Sequence, residues 1–435
     1  MRTSAASFIR RALLAASMLG ASTAAAPALA QNLVVANARI IVGDGTVIDK
    51  GSIVVKDGRI ASVAAGPPPA SAAKLKGPNR VDGAGMTLIA GYIDDHRHLI
   101  QGPPAAFLKD QAATRMRELL EAGVTTVQSG GDNDEGVRAL KAMVESGKIV
   151  GPRIITSGRV PTANLKNEEE VRAAVRKVVA EGADSIAEVH YPITEPPQKN
   201  VPTEQESRNL AAGIDEAKKL GVNFQVHASA PAPMLAALKL GAKKLVHTPH
   251  FGWLTDAEAK QVRDAGAWVS SCTGFGAPVF DVYNRENKPT FRDGKPWPEQ
   301  VLDGEGRGRE AGYKPVNGRT LYDNGVDFGF CTDTTYYAPA AIAHEIRVLS
   351  LVMSPIDLVK VMGQNSADFL DKGKDLGTLQ PGKLGDLLML TGNPLEGPWN
   401  FTTVVLVAKG GAIVVDKRAL LKTVKVLPYV RPPQR

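Results

Sequence analysis

The chain has 435 residues, of which 43% are apolar and 22% charged, and carries a formal charge of +7. Residues 1–30 hold three arginines and no acid, so the remainder has 52 − 3 = 49 basic against 45 acidic side chains, a surplus of +4. That surplus is too small and too evenly spread to argue for nucleic acid, and about four hundred residues can bury one large core and a second small one.

In chain order, residues 1–30 come first. They open with Arg2, Arg10 and Arg11, run on as an alanine-rich apolar stretch, and close on Ala28-Leu29-Ala30. A basic start, an apolar middle and a small-x-small end are the marks of a secretory signal peptide. The adjacent Arg10 and Arg11 leave twin-arginine export open beside the ordinary route. The mature protein is expected to be periplasmic or secreted. No later segment is apolar for long enough to span a bilayer.

Residues 31–85 read as strands. "NLVVANARIIVGDGTVIDKGSIVVKDGRIASVAAG" alternates short β-branched runs with turn signals at "GDG" and "DGR". The far end, residues 374–435, has the same character in "GDLLMLTGN" and "TTVVLVAKGGAIVV". Strand-rich segments at both ends of a chain often pair, because termini lie close together. A small β-sandwich domain built from the two is expected.

Residues 86–373 alternate strands with helices. "MTLIAGYID" is the first strand, and "GVTTVQSG", "GPRIITSG", "GADSIAEVHY", "GVNFQVHAS", "GAKKLVHTPH", "GAWVSSCTG" and "GVDFGFCTDTT" follow. Most of these are preceded by a helical pattern that stops at or near glycine. Alternation implies a parallel sheet, and eight units are the count of a (β/α)8 barrel, the TIM barrel. A doubly wound sheet is the weaker rival, because no glycine-rich phosphate turn follows an early strand. Cys272 and Cys331 lie in apolar stretches and are expected as buried free thiols.

The chain has only seven histidines, and two stand one residue apart at His96 and His98. On a strand those positions share a face, and two imidazoles aimed at one point suit a metal better than an apolar core. His96 and His98 follow strand 1, Glu188 and His190 end strand 4, His227 ends strand 5, His247 ends strand 6, and Asp333 follows strand 8. A barrel brings those ends to one rim, where active sites sit. One such histidine alone is more often a hydrogen-bonded structural residue. Burying all of them together without a shared partner would be costly.

"GYIDDHRH", "FQVHAS", "KLVHTPH" and "GFCTDTT" resemble the metal-ligand motifs of the amidohydrolase superfamily. "SIVVKDGRIASV" and "NSADFLDKGKDLGTLQPGKLGDLLMLTGNPLE" are similar to the segments that build its small sandwich. The likeness covers essentially the whole mature chain and is nearest to the secreted imidazolonepropionase-like and prolidase-like branch. It implies that His96, His98 and Asp333 hold one metal and that His227 and His247 hold a second. Nitrogen and oxygen ligands favour zinc, with one or two divalent ions per chain and manganese, cobalt or iron as alternatives.

The fourth strand departs from the branch. Ala187 stands where the branch carries a lysine whose carboxylated amine bridges the metals. Glu188 can bridge instead if the strand is bulged, whereas strict alternation turns it outward, into a local ion pair beside a single-metal site. His190 shares its parity. His247 is preferred over His250 as ligand because strands hold geometry better than loops. His190, His250 and Tyr336 are expected near substrate, and His344 is expected to be structural. Arg97 is open to a contact with Asp94 or Asp95, or to substrate.

The implied activity is metal-assisted hydrolysis of a C–N amide bond in a small molecule. The substrate would be an N-acyl amino acid, a dipeptide or a cyclic amide. Asp333 would orient the nucleophile and carry its proton to the leaving group. Alternatives are a mononuclear deaminase, an esterase or lactonase of the same superfamily, or a binding protein with a degenerate metal site. Residues 275–319 read as a long Gly- and Pro-rich loop over the site, with Arg285, Arg292, Arg307 and Arg309 able to receive a carboxylate. A homo-oligomer is left open.

Overall fold

The structure, a computed structural model, describes residues 32–193, 201–273, 307–335 and 337–421. Five strands come first: β1 Leu33–Ile41, β2 Val47–Lys56, β3 Arg59–Ala65, β4 Asn79–Asp82 and β5 Thr87–Ala90. The "DGR" signal is a tight hairpin between β2 and β3. Its Asp57 and Gly58 have φ of 50° and 81°, the left-handed pair such a turn needs.

A run of short parallel strands follows. These are β6 Tyr92–Arg97, β7 Val124–Ser129, β8 Arg153–Ile155, β9 Ser157–Gly158, β10 Ser185–His190, β11 Asn223–His227, β12 Lys244–Val246, β13 Trp268–Ser270 and β14 Asp327–Gly329. They pair in two runs, β6-β7-β8 and β9-β10-β11-β12-β13-β14. Helices separate them, and the helix Glu204–Leu220 shows why these segments coil. Thr203 and Glu206 form a reciprocal cap at its start, Leu210 and Ala217 bury one face, and Gly221 at φ 68° ends it.

The third expected strand is interrupted at Thr156. Its N–H donates to Asp184 Oδ2 at 2.9 Å instead of to a neighbouring strand, which separates β8 from β9. Beyond β14, Phe330 O accepts from Asp95 N–H and Asp333 N–H donates to His96 O, both at 2.9 Å. The segment after the last parallel strand therefore lies along the first. The architecture is α/β of the barrel type, as the alternation predicts.

Three strands close the chain: β15 Leu387–Leu390, β16 Val404–Lys409 and β17 Ala412–Asp416. They join the opening strands in one sheet, ordered β17-β16-β15-β5-β1-β2-β3, with β4 on β1. Its buried face carries Leu33, Val35, Ile40, Ile53, Leu88, Leu387 and Leu406. The larger core lies between the parallel strands and their helices, around Val124, Leu140, Ile186, Val226, Leu245 and Phe328.

Three expectations need correction. The stretch 86–94 is two strands, because Gly91 divides it: Ala90 ends β5 in the terminal sheet and Tyr92 begins β6. Gly91 is required there, since a Cβ would come within 2.1 Å of Thr125 Oγ1. Cys272 and Cys331 are not free thiols but a disulfide, their Cα atoms 4.9 Å apart at the adjacent ends of β13 and β14. Apolar surroundings alone could not reveal that parallel pairing would align them. Residues 307–319, read as loop, belong to the helix Arg307–Asp323, which runs through Pro315. Arg285 and Arg292 lie outside the described residues.

Candidate metal centre

Each ligand candidate is set by the end of a parallel strand. His96 and His98 leave β6 on one face, His227 ends β11, and His247 and Asp333 lie just past β12 and β14. Glu188 sits within β10 but does not obey its alternation. The register of β10 against β11 slips between Ile186 and Val189, and Glu188 takes φ 57°. That bulge turns the carboxylate inward while Ala187 stays buried. Gly131, at φ 86°, makes room for it: a Cβ there would lie 2.5 Å from Glu188 Cβ.

The side chains converge in two clusters whose potential ligand atoms lie within 4.8 Å of one another. One contains His96, His98 and Asp333. The other contains Glu188, His227 and His247. Glu188 spans them, with Oε2 2.8 Å from His96 Nε2 and Oε1 2.8 Å from His227 Nδ1. Asp333 Oδ1 lies 3.4 Å from His98 Nε2 and 3.6 Å from His96 Nε2, and its Oδ2 is 3.6 Å from His247 Nδ1. Both His96 ring nitrogens, Glu188 Oε2 and His247 Nδ1 are buried without a hydrogen bond. Buried polar atoms are rarely left so, and a divalent cation supplies the missing partner. The donor set of imidazoles and carboxylates fits such an ion.

The electrostatics follow from packing. Burial opposes ionisation of Glu188, but the charges of His227 and His96 and hydrogen bonds from His190 and His227 outweigh it. The carboxylate is held well below the usual range. Burial, reinforced by the charge of His227, pushes the His247 ring well down, toward the neutral form that ligates. Burial also opposes a charge on His98. Contacts with Asp132 and Asp333 overcome it and push that ring up to about 10.

His190 enters the pocket with Glu188, as their shared parity requires. Its ring stacks on His227 at 4.2 Å and its Nε2 is 3.3 Å from Glu188 Oε1. A cleft of about 500 Å³ opens beside the pair, lined by Arg159, Val160, Asn164, Glu188, His190 and Ile193. His250 does not line it. It is buried, with its ring 5.9 Å from that of His247, and burial and then Lys314 depress its protonation. His344 lies half-buried on the helix Ala338–Leu349. Tyr336 lies outside the described residues, and Tyr337 is 52% exposed. Arg97 is buried. It donates to Thr332 Oγ1 at 2.7 Å, and its Nη1 is 3.9 Å from Asp94 Oδ2, so the Asp94 contact is realised.

Residues that the sequence reading did not single out complete the site. Asp132 accepts from Leu99 N–H at 2.8 Å, Ile100 N–H at 3.3 Å and Ser129 Oγ at 3.1 Å, and its Oδ1 is 3.4 Å from His98 Nδ1. It fixes the ring that His98 presents. It follows the second parallel strand, so the strand-end rule that found the histidines would have found it too. Lys314, fully buried on the helix Arg307–Asp323, carried no such signal.

A rim of imidazoles and carboxylates on parallel strands of an α/β fold defines a class of metal-dependent hydrolase. Residues 87–414 match the Amidohydrolase family over most of the chain, and the protein belongs to that family. It is a metal-dependent amidohydrolase. An imidazolonepropionase from Thermoanaerobacter pseudethanolicus is 21% identical across 85% of this chain and 91% of its own. Among solved structures, a Xaa-Pro dipeptidase with bound methionine is 22% identical with a TM-score of 0.71. It spans 88% of this chain and 100% of that one. A prolidase described as putative, from Bifidobacterium longum, is 25% identical with a TM-score of 0.71, over 91% and 99%. An ochratoxinase of A. niger is 19% identical at 0.71, over 89% and 96%.

Proposed function

We propose that the protein hydrolyses the amide bond of a small N-acyl amino acid, dipeptide or cyclic amide at a two-metal centre bridged by Glu188. One observation carries the reading: the two oxygens of one carboxylate each lie 2.8 Å from a nitrogen of a different histidine cluster. In this reading His96, His98 and Asp333 hold one ion, His227 and His247 the other, and zinc is the favoured ion. When bound, such ions lower the pKa of water and polarise an acyl oxygen.

The chain's own residues do the rest. Asp333 stands within 3.6 Å of three ligand histidines, where it can take a proton from the attacking water and return it to the leaving amine. His190, partly exposed beside Glu188, faces the substrate's acyl group from the cleft wall. Arg159, which lines the cleft, receives the substrate's carboxylate, and Val160 and Ile193 pack on its apolar part. His250, buried with its ring 5.9 Å from that of His247, packs edge-on against that ligand.

The same reading closes the parallel strands into an eight-stranded barrel through the hydrogen bonds at Phe330 and Asp333, and folds the single terminal sheet over on itself as the small sandwich. The catalytic domain, expected over 86–373, then begins after β5, whose Thr87–Ala90 stretch joins the terminal sheet with 31–85 and 374–435. Residues 1–30 direct export, and the Cys272–Cys331 disulfide supports an oxidising compartment.

The test is metal analysis of the purified protein, followed by a screen of N-acyl amino acids, dipeptides and cyclic amides. About two equivalents of metal per chain and turnover of one of these classes are expected. A metal-free chain with no hydrolytic activity would overturn the proposal.

A further inference from the structure

The disulfide lies at the metal centre. Cys272 follows β13, takes φ 43°, and is fully buried. Its sulfur, a ring nitrogen of His247 and a carboxylate oxygen of Asp333 all lie within 4.8 Å of one another, a third grouping able to hold a metal. His247 Nδ1 makes no hydrogen bond there. A disulfide sulfur is a poor ligand, whereas a thiolate is a strong one for zinc and other soft cations.

We propose that the Cys272–Cys331 disulfide masks a third metal position, which reduction uncovers as a Cys272–His247–Asp333 thiolate site. The inference rests on the metal-centre reading above, since His247 and Asp333 are shared. Reduction needs a dithiol. One of its thiolates attacks the disulfide and forms a mixed disulfide. Its second thiol displaces the protein sulfur, so the protein gains two electrons and two protons and the reductant leaves as a cyclic disulfide. On ligation Cys272 loses its thiol proton to solvent. His247 and Asp333 cannot serve both arrangements at once, so the reduced enzyme holds its ion in the wrong place and hydrolysis falls.

Cobalt(II) is the probe, added to the full chain in four forms. These are the oxidised protein, the protein reduced by a phosphine (oxidised in turn to its oxide with oxygen from water), Cys331→Ser and Cys272→Ser. All four are expected to take up cobalt. A sulfur-to-cobalt charge-transfer band is expected in the reduced protein and in Cys331→Ser. It is expected to be absent from the oxidised protein and from Cys272→Ser, whose remaining thiol is Cys331. Cobalt uptake without that band in Cys331→Ser or the reduced protein overturns this inference and leaves the metal centre standing. A band that persists in Cys272→Ser also overturns it. No uptake by any form overturns both. If one reduced form unfolds, the other decides, and loss of fold in both refutes a switch.

Discussion

The two ends of the parallel strands are built on opposite rules. At the foot, two charged residues find partners within the protein. Asp184, just before β10, accepts from Thr156 N–H and Oγ1 at 2.9 Å and from Lys141 Nζ at 2.8 Å. Arg153 at the start of β8 donates to Asp386 Oδ2 at 2.6 Å and ties the parallel strands to the terminal sheet. Between foot and rim, Gln128 and Gln225 donate to each other's oxygens at 2.7 and 3.0 Å. At the rim, His96, His247 and Glu188 bury side-chain atoms that make no hydrogen bond. Glu188, His247, Cys272 and Asp333 all hold positive φ there, a conformation that costs of order 1–3 kcal/mol per residue. The foot is arranged for stability and the rim for a ligand the protein must acquire.

That contrast can be broken from either side. Asp333→Asn removes a proton carrier while keeping the side chain's shape. It should lower kcat by about 10²–10⁴-fold with little change in melting temperature. Near-normal turnover in steady-state kinetics would end the role assigned to Asp333. Glu188→Gln should lower the metal bound per chain below that of the unaltered protein, measured by elemental analysis. It should also lower kcat by at least about 100-fold, because a neutral amide cannot bridge two cations. Asp132→Asn loosens His98 and should cost about 10–100-fold in metal affinity or activity, read by chelator competition.

The smallest effect belongs to the foot. Asp184→Asn should destabilise the fold by about 1–2 kcal/mol in urea unfolding and leave kcat unchanged. Burial opposes ionisation of Asp184, but Lys141 and Thr156 outweigh it, so its carboxyl lies below the unfolded value of 3.8. A depressed folded value gives stability that is present above pH 3.8 and lost as pH falls through the folded value. The gap between wild type and Asp184→Asn should therefore close on acidification below 3.8. A gap independent of pH would sever the link to charge.

Much of the rim was legible from one rule, that polar residues at the ends of successive parallel strands meet. His96, His98, His227, His247 and Asp333 all obeyed it. Asp132, just past β7, obeyed it too. Glu188 was legible as the bridging carboxylate only on the condition of a bulge, since strict alternation points it outward, and Gly131 in a neighbouring loop makes room for that bulge. Lys314 had no local signature, because its burial depends on where the helix Arg307–Asp323 packs.

Composition and periodicity by themselves determined the α/β alternation, the joining of the two chain ends in one sheet, and the five ligand candidates at strand ends. These follow from short-range rules of strand parity and helix termination that each segment carries within itself. Only tertiary structure decided the inward turn of Glu188, the pairing of Cys272 with Cys331 and the division of the first strand at Gly91. Each depends on which atoms of distant segments come within a few ångströms, and no local pattern encodes that distance.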